Sequence, residues 1–134
     1  MDDEPTLGQR MHVYGVVLHG ALTKEVWISF LAAAAERIGM KPVAPPAAWD
    51  YPIAGSGGNG HTIVLPITES FLALDTWPDH RGAYLFVCSC KPFFGAVIEG
   101  VAIEFGLRPT SGRASNSPFY AQLDLVSSDP DGIR

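Results

Sequence analysis

Apolar residues recur in two rhythms along this chain, and the switches between them mark its elements. Residues 11–19, MHVYGVVLH, have the β-branched and aromatic density of a first strand. The period then lengthens. Val26, Trp27, Phe30, Leu31, Ala34 and Ile38 follow a 3.6-residue spacing, which predicts a helix capped by Thr23 and stopped at Gly39. The proline-rich passage KPVAPPAAWDYP lacks too many amide donors for anything but a short edge strand. Strand patterning returns in HTIVLPI, and two more strands are expected over about 70–76 and 83–90, with WPDHRG supplying the Pro and Gly of a turn. Pro92 opens a second predicted helix with Phe94, Val97, Ile98, Val101 and Phe105 on one face and a stop at Gly106. A Ser/Pro-rich passage leads to a weak strand, FYAQLDLV, and a polar tail.

That order predicts an α/β (α+β) fold: a two-layer sandwich of a largely antiparallel sheet with two helices on one face. Two helices seal one sheet face only, so the other must meet a partner or hold a site. The 134 residues suit a single domain over 1–134, with 1–10 and 126–134 expected as flexible tails, and no internal repeat is visible.

Composition narrows the function classes. With 47% hydrophobic and 17% charged residues the chain reads as a compact soluble protein, with apolar surface left for a second copy. A net charge of −5 and scattered Lys and Arg argue against nucleic acid or an anionic membrane as partner. No apolar run reaches membrane-spanning length. The start, MDDEPTLGQRM, is acidic where a secretory signal would be basic and then apolar, which predicts a cytoplasmic protein. Cys88 and Cys90 share one strand face with Cα atoms about 6.5–7 Å apart, the outer limit for a disulfide, so both are expected as thiols.

Candidate chemistry concentrates in one run, ITESFLALDTWPDHRGAYLFVCSC, residues 67–90. By residue type alone, Ser70 is a polar strand residue, Cys88 and Cys90 are small core residues, Trp77 packs, and Asp75 caps a strand end. His12, His19, His61 and His80 show no metal-ligand spacing, and no metal is expected. The loop GSGGNG opens a strand and carries no Lys, which argues against a phosphate cradle.

The same run resembles the small prokaryotic S-adenosylmethionine decarboxylase proenzymes, whose pattern is E-S-H-(x)3-H-T-W-P-E with a cysteine twenty residues after the serine. Glu69-Ser70, Thr76-Trp77-Pro78 and Cys90 fall in register with it, the close match covering about 62–90. Phe71 and Asp75 stand where the family has histidines. The resemblance implies a dimerising two-layer fold and self-cleavage between Glu69 and Ser70, which turns Ser70 into a pyruvoyl group that accepts electrons as carbon dioxide leaves. It further implies that Thr62 assists processing, that Cys90 returns a proton to the product, and that Asp75 inherits the base role. Trp77, Asp79 and Phe71 would line the substrate pocket, with Asp79 at the ribose. The implied activity is decarboxylation of S-adenosylmethionine for polyamine synthesis by a cytoplasmic homodimer. Two other readings stay open: a pyruvoyl decarboxylase of another amino acid, and an uncleaved homologue with a binding, partner-subunit or repurposed catalytic role.

Overall fold

A computed structural model describes residues 10–53, 58–77, 81–109 and 119–124. The expected tails lie outside these residues except for Arg10, as do Pro78, Asp79 and His80. Strand β1 (Arg10–His19) leads to helix α1 (Lys24–Arg37), followed by β2 (Ala47–Pro52), β3 (Asn59–Ile67), β4 (Ser70–Trp77) and β5 (Gly82–Ser89). Helix α2 (Gly95–Glu104), a two-residue β6 (Arg108–Pro109) and β7 (Phe119–Asp124) complete the order. The sheet runs β2-β3-β4-β5-β1, and β6 and β7 both pair with the outer edge of β1. Every pairing is antiparallel. Local hairpins supply β3–β4 and β4–β5, whereas the central β1–β5 pairing joins distant parts of the chain.

Period-two alternation decides what each strand buries. Leu72 and Leu74 of β4, Ile63 and Leu65 of β3, and Leu85 and Val87 of β5 are almost wholly buried and meet Phe30, Leu31 and Ala34 of α1 and Ile98 and Val101 of α2. Each such aliphatic side chain contributes about 1.5–3 kcal/mol by leaving water. Both helices therefore cover one face of the sheet, and the two-layer α+β architecture is the observed one. Arg37 of α1 donates to Glu104 of α2 at 2.6 Å, an exposed pair that adds little stability.

The termini of α1 follow from the sequence. Thr23 accepts the Val26 N–H at 3.2 Å as N-cap, and Gly39 takes a positive φ of 80° just past the end. Its buried stripe keeps the expected Trp27, Phe30, Leu31 and Ala34, with Ala35 also inside and Val26 exposed. Helix α2 begins at Gly95 rather than at Pro92. Phe93 turns inward to meet Tyr14 edge-on at 6.1 Å, which holds 92–94 out of the helix and leaves the expected face residue Phe94 in solvent. Strand β2 takes the predicted edge position, and β3 starts two residues before His61.

Tyr14 fixes α2 against the sheet. Its hydroxyl donates to Glu99 at 2.6 Å, and its ring lies where a Cβ on Gly95 would stand. Burial first, then the hydrogen bond and charge of Glu99, push the phenol above its ordinary pKa. Gly95→Ala must displace this buried, hydrogen-bonded ring, so a loss of about 1–3 kcal/mol is expected, net of any gain in helix propensity. Urea denaturation measures it, and an unchanged midpoint would mean that α2 slides to make room.

Candidate active site

The residues singled out by sequence gather in two clusters, towards opposite ends of β4 and on opposite faces. The first surrounds Ser70. Ile67 pairs with Ser70, so β3 and β4 are joined by the two-residue turn Thr68–Glu69. Glu69 takes a left-handed backbone, φ 57°, which costs an ordinary L-residue roughly 1–2 kcal/mol. That conformation falls at the Glu69 Cα, in the residue immediately before Ser70.

Ser70 is buried at the start of β4, beside the end of β5. Its Oγ accepts the Cys90 backbone N–H at 3.2 Å and lies 3.8 Å from the Cys90 Sγ, so serine and thiol share one spot. Ser89 builds the turn that brings Cys90 there: fully buried, its Oγ accepts the Lys91 N–H at 2.9 Å and donates to the Lys91 carbonyl at 2.7 Å. Sequence reading passed over Ser89, although a serine at an inward position of an alternating strand was the available signal. Together with Met40 and Lys41 beyond α1, these groups enclose a cavity of about 350 Å³. Both cysteines are free thiols, and burial, then the neighbouring Cys90, raises the Cys88 thiol above its usual pKa.

The second cluster lies on the face that no helix covers. Thr62 and Asp75 are direct partners across β3–β4, and the Thr62 hydroxyl donates to Asp75 Oδ1 at 2.5 Å. Tyr51, on the edge strand β2, donates to the same oxygen at 3.2 Å. Nothing in the local sequence marked Tyr51; the register that pairs it with Gly60 brings it there. Trp77 packs edge-on against Tyr84 with ring centroids 3.8 Å apart. Phe71 lies on the same face, tilted against Phe86 at 6.3 Å, and both are exposed. Asp79 lies outside the described residues.

One chain does not bring the two clusters together. Asp75 is five residues along β4 from Ser70, about 17 Å at 3.3 Å per residue, and an odd offset places it on the other face. An Asp75 carboxylate therefore does not reach the Ser70 Cα proton of its own chain. Among the described residues, no group of three His, Cys, Asp or Glu side chains is arranged to hold a metal ion.

Glu69→Gly tests the strain at the turn. In a Ser70→Ala background it should raise the unfolding free energy by about 1 kcal/mol, because glycine enters the left-handed region without the Cβ penalty. Chemical denaturation reads this directly, and a loss of stability would show that the Glu69 side chain holds the turn.

Comparison with known proteins matches residues 12–111 to the family model for S-adenosylmethionine decarboxylase. The fold is similar to the crystal structure of the adenosylmethionine decarboxylase from Aquifex aeolicus, with a TM-score of 0.53 and 15% sequence identity over 96% of this chain and 99% of that one. No curated protein matches the chain.

Proposed function

The chain belongs to the S-adenosylmethionine decarboxylase family, and from that premise we propose that it matures by self-cleavage between Glu69 and Ser70 into a pyruvoyl-dependent decarboxylase of S-adenosylmethionine that serves polyamine synthesis. The observation that carries the reading is the Ser70 hydroxyl, held by the Cys90 N–H directly after a left-handed Glu69. Ser70 Oγ attacks the Glu69 carbonyl carbon. The peptide C–N bond breaks, an ester forms, and the Ser70 amine is released; relief of the Glu69 backbone favours the exchange. Loss of the Ser70 Cα proton then breaks the Cβ–O bond and frees the Glu69 carboxylate. Water replaces the nitrogen of the resulting dehydroalanine, and ammonia leaves. The space at Ser70 and the Cys90 N–H aimed at its oxygen suit a pyruvoyl group, which supplies a carbonyl electron sink for loss of carbon dioxide. Cys90, beside that carbon, is the proton donor to the product.

The base comes from a second copy. The helix-free face exposes Trp49, Phe71, Tyr84 and Phe86, apolar area that a homodimer would bury. Laying two such faces together about a two-fold, with β4 strands antiparallel, brings the Asp75 end of one copy over the Ser70 end of the other, on the side of the Ser70 Cα away from its buried side chain. Asp75 then takes the Cα proton in trans, with Thr62 and Tyr51 fixing its carboxylate. Trp77 and Asp79 of the same copy would line the pocket for the adenosyl part of the substrate, with Phe71 at its edge. The whole of 1–134 acts as one domain in this reading.

A second reading, an uncleaved homologue with a binding or repurposed role, is favoured by Phe71 and Asp75 at the two family histidine positions. Intact mass separates the two. Self-cleavage gives fragments of 69 and 65 residues, the latter blocked at its amino end, and a single uncut mass after long incubation favours the homologue. Light scattering should give about twice 14.4 kDa.

Mixing variants tests the shared site. Ser70→Ala and Asp75→Asn should each stay uncut alone; refolded together they should yield fragments from the Asp75→Asn chain only, since its Ser70 then meets an intact Asp75. Fragments from neither chain would remove the trans base. Tyr51→Phe deletes one hydrogen bond to Asp75 and should slow fragment formation about 2- to 10-fold without loss of folding; an unchanged rate assigns Tyr51 to the edge strand alone.

A further inference from the structure

At the other end of β5 from Ser89, three basic side chains converge on a cleft that the proposed chemistry does not use. His19 ends β1, and its backbone pairs with Gly82 on one side and Arg108 on the other. Arg81 immediately precedes Gly82. The three Cα positions therefore lie within about two strand spacings, roughly 10 Å. Among the described residues, a cleft of about 370 Å³ is lined by these three and by Gly20 and Gly106, none of them acidic.

The cleft residues are free to meet an anion. Of the other described Lys and Arg side chains, Lys24 lies against Asp50 at 3.1 Å and Arg37 against Glu104 at 2.6 Å, while Lys41 and Lys91 have no ion pair among the described residues. Among the described residues none of His19, Arg81 and Arg108 has an ion-pair partner. Arg81 also adopts a left-handed backbone, φ 52°. Such a turn position favours glycine or asparagine, and among the described residues only Glu69 and Arg81 occupy it without being glycine. The Gly20 N–H is already given to the Arg81 carbonyl at 2.7 Å, so recognition falls to the side chains.

We propose that this cleft binds a small oxyanion, the phosphate or carboxylate group of a ligand, between the guanidinium groups of Arg81 and Arg108 and the His19 imidazole. Arginine presents paired N–H donors that match either anion in a bidentate fork. An adjoining cleft of about 170 Å³ shares Gly20 and Arg81 and is walled by Trp27, His61 and Thr76, leaving room for the rest of the ligand beyond its charged group. Within one chain the site lies seven residues along β5 from Ser89, about 23 Å, and its own residues come from β1, β6 and the residue before β5.

Titration of the Ser70→Ala chain with inorganic phosphate and, separately, with malonate tests this, with ionic strength held constant by chloride and binding followed through the amide and imidazole NMR signals of His19, Arg81 and Arg108. Saturable shifts centred on these residues are expected with at least one anion, and whichever saturates identifies the group recognised. Arg81→Gly, which the left-handed backbone accommodates, and Arg108→Gln should each weaken binding at least about 10-fold. Arg37→Gln, on the helix layer, should leave it unchanged. Shifts that follow ionic strength without saturating, or equal affinity in Arg81→Gly, would overturn the assignment.

Discussion

Alternation along β3, β4 and β5 sends Ile63, Leu72, Leu74, Leu85 and Val87 into the helix layer and Phe71, Asp75, Tyr84 and Phe86 to the opposite side. Because the side-chain period of a strand is two, this division is rigid: a slip of one residue would expose the whole core. The two helices follow from the first set, whose apolar surface must be covered. The second set makes the other face what it is, a broad aromatic surface with a hydrogen-bonded carboxylate in its midst. Oligomeric state, access to Asp75 and the reach of every site residue depend on that one alternation.

Much of this was legible in the chain. The 3.6-residue spacing that placed α1 also places Trp27, Phe30, Leu31 and Ala34 of its buried stripe, because helix geometry leaves little freedom once Thr23 and Gly39 mark the ends. Strand β6 was not legible, since Arg108 and Pro109 form a strand only by meeting Leu18 and His19, a contact set by the path of the chain after α2. The start of α2 was misplaced for a similar reason. Proline at 92 permits a helix, but a tertiary contact between Phe93 and Tyr14 decides against it.

The candidate site divides along the same line. Ser70, Asp75 and Cys90 could be picked from the sequence by their resemblance to a known pattern, which carries residue types and intervals. It carries no faces. An interval of five along a strand reverses the side, so Ser70 and Asp75 are near in sequence and remote in space, while Ser70 and Cys90, twenty residues apart, touch. Tyr51 was invisible because it acts through cross-strand register, and the inward serine at 89 was visible only as a position, since the turn it builds is defined by the assembled sheet.

The position of the Thr68–Glu69 turn has a topological consequence. Everything before it comprises β1, α1, β2 and β3; everything after it comprises β4, β5, α2, β6 and β7. These two sets are interleaved in the sheet, not side by side, since β1 is inserted between β5 and the β6 and β7 strands, and β3 borders β4. A chain opened at this turn would consist of two pieces that neither fold nor part independently. Each would be the template on which the other's strands are completed, joined by the β3–β4 and β1–β5 ladders and by a core to which both contribute. Opening the backbone there would free a new chain end without freeing a subunit.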